Sequence, residues 1–153
     1  MVSKKNLSLI LCSENSASMK KLFTTAYSDP GLSFAILLLR LTCGGLMVPY
    51  GFNKFTHFAS KSQTFSDPLH IGHAPSLVLV IFAELFCAIF VGTGLLTRLA
   101  CLPLIITMCV VVFHVHHGRI TGDGEVAALF LAGFIAILFT GPGKISIDRL
   151  IGK

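Results

Sequence analysis

Four long apolar stretches, separated by short polar ones, limit what this chain can fold into more than any other feature. They run from about Ser33 to Phe55, Ser76 to Leu96, Leu99 to Val115 and Val126 to Thr140. A helix needs about 20 apolar residues to cross the hydrocarbon core of a bilayer, so these blocks read as membrane spans. The expected architecture is all-α, an integral membrane four-helix bundle embedded in a lipid bilayer. The fourth block is short for a crossing, which a thinned bilayer or packing against the other helices would accommodate. Small residues such as Gly44, Gly45, Gly92, Gly94, Ala127, Ala128, Ala132 and Gly133 let such helices approach closely.

Composition excludes the soluble alternatives. Of 153 residues, 54% are hydrophobic and 12% charged, against about 25% charged in an ordinary soluble domain. A soluble protein this apolar would expose large hydrophobic patches and associate. The net charge of +5 does not point to nucleic acid, because the basic residues flank apolar blocks instead of forming a stripe interleaved with aromatics. The five cysteines, Cys12, Cys43, Cys87, Cys101 and Cys109, form no CxxC and read as small apolar packing groups.

The chain divides into a tail, residues 1–18, and a single transmembrane domain, residues 19–153. The tail's apolar core is too short for a signal peptide. It reads as poorly ordered, or as a mis-assigned start with Met19 opening MKKLF. Asp29-Pro30-Gly31 reads as a turn before the first span, and Pro49 should kink that span. The polar stretch from Thr56 to Pro75 is long for a structureless loop and should fold over the mouth of the bundle. Around Thr97-Arg98 the turn is very short, which makes the second and third spans antiparallel neighbours.

Basic residues collect on the cytoplasmic side of bacterial spans. Lys4, Lys5, Lys20, Lys21, Arg98, Lys144, Arg149 and Lys153 would lie on one face, and Lys54, Lys61 and Arg119 on the other. Both termini are therefore expected to be cytoplasmic, in a multi-pass protein of the bacterial inner membrane.

Ionisable residues at membrane depth are costly, so each is a candidate site residue. From the helix rise, Glu84 lies roughly 4 Å from mid-membrane, His114 roughly 9 Å and Lys54 roughly 13 Å, all toward the same face. Helical side chains lean toward their own N-terminus, so Lys54 and Glu84, on antiparallel spans, lean toward each other. They are expected to pair, with His114 near their level. Arg40 lies toward the opposite face and would reach head groups or bond backbone carbonyls. His114 and His117 are three apart and share a helix face, but without a Cys or carboxylate at ligand spacing they are not assigned a metal or haem. Two readings of the Lys54–Glu84 cluster stand: a staple between helices, and a ligand-binding or proton-handling site in which Glu84 exchanges a proton beside His114.

Taken in order, LLLRL at 37–41, YGFNK at 50–54, AELFCAIFVGTGLLTRLA at 83–100, the histidine-bearing end of the third span and GPGKISID at 141–148 resemble the DoxX family of small four-span bacterial membrane proteins. The family's usual HGxxK departs here, with Tyr50 at the histidine position. The resemblance implies a membrane subunit or partner of a quinone- or thiol-linked redox system, with a redox-protein partner, and an oxidoreductase role by resemblance alone. A quinone head would suit the Lys54–Glu84 level; no GxGxxG, CxxC or haem pair names another cofactor. A small-solute carrier and a non-catalytic scaffold are the alternatives, and a homo-oligomer is compatible with all three.

Overall fold

The computed structural model describes residues 29–68, 70–118, 120 and 122–151; the expectations for residues 1–18 fall outside that range. The described chain is helical, with no strand among the described residues. Helix α1 spans Asp29–Thr56 and is followed by a short α2, Phe58–Lys61. Then come α3, His73–Thr93, and α4, Thr97–Val115. Helix α5 covers Glu125–Thr140 and α6 Ile147–Ile151. Helices α1, α3 and α4 are long and apolar enough to cross a membrane, and α5 is shorter. The chain is a helical membrane bundle.

Local chemistry explains the ends. Asp29-Pro30-Gly31 is the first turn of α1 and not a turn before it, because proline lacks an N–H that the first helical turn would leave unpaired anyway. Pro49 is carried inside α1. Helix α3 stops where Gly94 enters the left-handed region at φ 79°, its amide donating to Phe90 O at 2.8 Å. Leu96 follows with φ 47°, a conformation that costs a non-glycine residue about 1–2 kcal/mol.

Packing buries one stripe of α1, formed by Ile36, Arg40, Cys43, Gly44, Met47 and Gly51. Its main partner is α3, while α4 packs on both α3 and α5. Gly44 permits the first pairing, since a Cβ there would stand 2.7 Å from Ala88 O. Cys43, Cys87 and Cys101 are free thiols within the apolar core, beside Met47, Leu104 and Phe134. Outward-facing residues are also apolar, among them Phe34, Leu99, Ile106, Leu129 and Phe139. In water such a surface would aggregate; against acyl chains it is solvated.

The end of the bundle that holds the α3–α4 turn is organised by a single cation. Arg40 is 1% exposed. Its Nε donates to Val91 O at 3.0 Å and its Nη2 to Gly92 O at 3.2 Å, both carbonyls of the last turn of α3, where intrahelical donors run out. Its Nη1 donates to Pro142 O and Ile145 O in the segment after α5. Arg40 thus bonds carbonyls rather than reaching toward head groups. A Cβ on Gly94 would collide with the guanidinium.

Asp148 closes the same hub. Its carboxylate accepts from Leu96 N at 2.6 Å, from Thr97 N at 3.0 Å and from the Thr97 hydroxyl at 3.0 Å. It therefore caps α4 from a distant part of the chain and holds Leu96 in its strained conformation. Desolvation pushes this carboxyl up, but the Thr97 and Leu96 hydrogen bonds and the Arg40 charge outweigh it and hold Asp148 below its ordinary value. A depressed folded value contributes stability above the unfolded pKa, and that stability is lost as pH falls through the folded value. Asp148→Ala should cost about 1–2 kcal/mol at neutral pH, read as a lower melting temperature in detergent. The gap from wild type should narrow on acidification below the Asp148 pKa; a gap independent of pH would refute the ionised cap.

Candidate functional site

At the opposite end of α1, Lys54 Nζ lies 2.5 Å from Glu84 Oε2. The side chain of Glu84 is 3% exposed and that of Lys54 22%. Two features of sequence bring them together. Gly51 lies against the backbone of α3, where a Cβ would stand 2.7 Å from Glu84 C and from Leu85 N. One helical turn beyond that contact Lys54 reaches across. Glu84 itself sits in a π-helical turn, Phe82–Cys87, inside α3. Such turns hold an extra residue, widen the helix and recur at functional sites.

Cavities flank the pair on two sides. A groove of about 540 Å³ is lined by Leu79 and Phe82 of α3, Ile106 and Val110 of α4, and Phe65 and Pro68 of the α2–α3 connection. Lys54, Glu84, Ser66, Ser76 and Thr107 also line it. A second chamber, of about 320 Å³, lies among α1, α4 and α5 and is lined by Met47, Tyr50, Val111, His116, Ala127 and Phe130. Lys54 and Glu84 belong to its wall as well. Tyr50 meets Phe130 edge-on, with ring centroids 6.3 Å apart.

The polar connection between α1 and α3 is built, as its length suggested. Helix α2 turns back on α1, with Lys61 Nζ donating to Asn53 Oδ1 at 2.8 Å. Asp67 then latches the segment to the start of α3. Its carboxylate accepts from Gly72 N at 2.6 Å, Ile71 N at 3.2 Å and the Ser76 hydroxyl at 2.7 Å. The Ser76 bond, followed by the Gly72 and Ile71 amides and the charge of His73, outweighs desolvation and holds this carboxyl below its ordinary value. The latch fixes Phe65 and Pro68 against the groove.

Of the residues singled out by sequence, Lys54 and Glu84 meet, and Arg40 stands apart at the far end. His114 and His117 are both exposed. They do not share a helix face, because α4 ends at Val115 and His117 adopts φ 50°. The half-buried His116 lines the chamber beside Glu84. The cause is a second π-helical turn, Val111–Val115, closed by His116 N donating to Val111 O at 3.0 Å. An inserted residue rotates everything after it by about one residue's angle, so phase counted at 3.6 per turn points to the wrong histidine. Tyr50, the departure from HGxxK, faces the same chamber.

The DoxX family profile matches residues 35–117. The chain belongs to the DoxX family. The matched range contains the whole Lys54–Glu84 pair and both π-helical turns. Inner membrane protein YphA of Escherichia coli (strain K12) is 28% identical over 137 residues, covering 82% of this chain and 98% of that protein. No solved structure matches the chain. With its apolar helices, this DoxX-family member is a multi-pass protein of the cytoplasmic membrane.

A buried ion pair leaves an uncompensated charge when one partner is removed, which typically costs about 3–5 kcal/mol. Glu84→Gln should therefore lower the melting temperature, and adding Lys54→Met should recover part of the loss. Strictly additive losses would show that the two charges do not stabilise each other.

Proposed function

We propose that this DoxX-family protein is the membrane subunit or partner of a redox system, and that it binds a quinone at the Lys54–Glu84 pair. The observation that carries this reading is the position of the pair. It supplies an ammonium and a carboxylate to a groove whose other walls are almost wholly apolar. An amphipathic ligand suits such a place, with its carbonyl or hydroxyl head on Lys54 and Glu84 and its isoprenoid tail along α3 and α4. Electrons would pass to or from a redox-protein partner, in keeping with the family's company.

Decylubiquinone offered to the protein in nanodiscs should bind saturably, above the level of protein-free discs. A hydrogen bond to a charged group is worth about 1.5–3 kcal/mol, so Glu84→Gln should weaken binding about tenfold or more. Thr107→Phe, which fills the groove, should abolish it. Binding no better than to empty discs would overturn the reading. Concentrative uptake of a polar solute into proteoliposomes would then favour the carrier alternative.

We also propose that both termini are cytoplasmic, from the basic residues collected beside them. In a cysteine-free background, Gln63→Cys should react with an impermeant maleimide in spheroplasts, and Arg149→Cys only after lysis. Reaction of Arg149→Cys before lysis would reverse the orientation.

A further inference from the structure

The groove alone does not explain the second chamber. Lys54 and Glu84 form a partition between two spaces, the second more polar than the first. On one side lies the apolar groove between α3 and α4. On the other, Tyr50 and His116 line the chamber together with apolar side chains. A volume of about 320 Å³ accommodates roughly ten waters at liquid density, and a space with several polar groups holds water where an apolar one stays dry. The chamber lies at the end of the bundle where α4 gives way to the α4–α5 connection.

We propose that this chamber is a proton port: Glu84 exchanges protons with water at that end of the bundle through His116. The inference deepens the quinone reading by giving the proton of a bound head a way out of the membrane. A hydroxyl of the head gives its proton to the Glu84 carboxylate, and its conjugate base is left beside the Lys54 ammonium. The Glu84 carboxyl then gives that proton to His116, directly or across chamber water, and the imidazolium releases it to bulk water. Glu84 returns to the carboxylate and His116 to the neutral ring, so both are ready for a second proton. No electron moves in these steps.

The surrounding charges suit the role. Lys54 and Tyr50 face Glu84 from α1, and His116 from the end of α4. Lys61 of α2 lies within electrostatic reach. Glu125, at the start of α5, is exposed and outside the chamber wall. Imidazole is the one side chain whose ordinary pKa, near 6.5, lets it both accept and release a proton around neutrality. The π-helical turn at Val111–Val115 ends on His116, whose amide closes it. A distortion of α4 thus accompanies the placement of a titratable ring against the chamber.

The test uses no ligand, so its outcome is independent of quinone binding. The full-length protein in nanodiscs is followed by infrared spectroscopy, and the carboxyl C=O band lost in Glu84→Gln is assigned to Glu84. On transfer to heavy water that band shifts as its proton exchanges. His116→Gln should slow the exchange about a hundredfold or more, the lower end of what a positioned acid–base group supplies. Wild-type exchange should also carry a pH dependence that the variant lacks. His116→Ala should behave alike; should it fail to fold, the glutamine variant decides. Equal exchange rates in wild type and variant, or no Glu84-dependent carboxyl band at any pH where the protein is folded, would overturn the proposal. If His116 governs exchange but decylubiquinone does not bind, the quinone reading falls and the port stands.

Discussion

Helix α1 carries two cations into the bundle, and both are answered by α3. Arg40 and Lys54 are separated by fourteen residues, roughly 21 Å along the helix. One binds the last carbonyls of α3 and the other its buried carboxylate. In lipid there is little hydrophobic gain from bringing two helices together, because acyl chains solvate leucine as well as another leucine does. Contact must come from close backbone approach and from polar groups that have no better partner. Gly44 and Gly51 supply the first between the two cations, which supply the second. The register of α1 on α3 is thereby fixed, since sliding by one turn would strand both charges. The groove, the chamber and the terminal hub inherit their geometry from that register.

Much of this was legible in the sequence, for physical reasons that can be named. Span number follows from blocks of apolar residues, because a bilayer imposes its thickness on any chain that crosses it. The proximity of Lys54 and Glu84 follows from depth together with the lean of helical side chains, which holds wherever the helix is regular. Arg40 was placed away from that pair by the same argument. Its partners were only half legible: backbone carbonyls were one of two expectations, with head groups the other, whereas the bonds to Pro142 and Ile145 depend on a return of the chain that no local pattern encodes. The GPGKISID segment carries its meaning in Asp148, which caps a helix about fifty residues earlier in the chain.

His116 marks where periodicity fails. A π-helical turn leaves composition unchanged and alters only phase, so a reading at 3.6 residues per turn continues past it as though nothing had happened. Both such turns in this structure lie where the two cavities meet, at Phe82–Cys87 and Val111–Val115. They widen the helices beside the pair and open space that regular helices would have filled with side chains. The sequence holds hints, in Pro103 below one of them and in the histidine-rich exit of α4, but no rule that converts these into a specific register. Tyr50 was noticed as a departure from a motif; only the fold gives it a location, on the chamber side of the partition.

The inequality of the helices has its own consequence for the membrane around them. Helix α5 has 16 residues, about 24 Å of rise, whereas α1 has 28 residues, about 42 Å. A hydrocarbon layer of about 30 Å cannot match both. On the α5 side the acyl chains must compress, at a fraction of a kcal/mol for each Å of mismatch, while α1 can tilt to take up its excess. The protein therefore sits in an asymmetric elastic field, with one flank under lipid compression. Shorter or more disordered chains relieve that compression and longer, saturated ones increase it. The acyl composition of the host membrane thus bears directly on the tilt of α1, and through Arg40 and Lys54 on the last turn and the middle of α3.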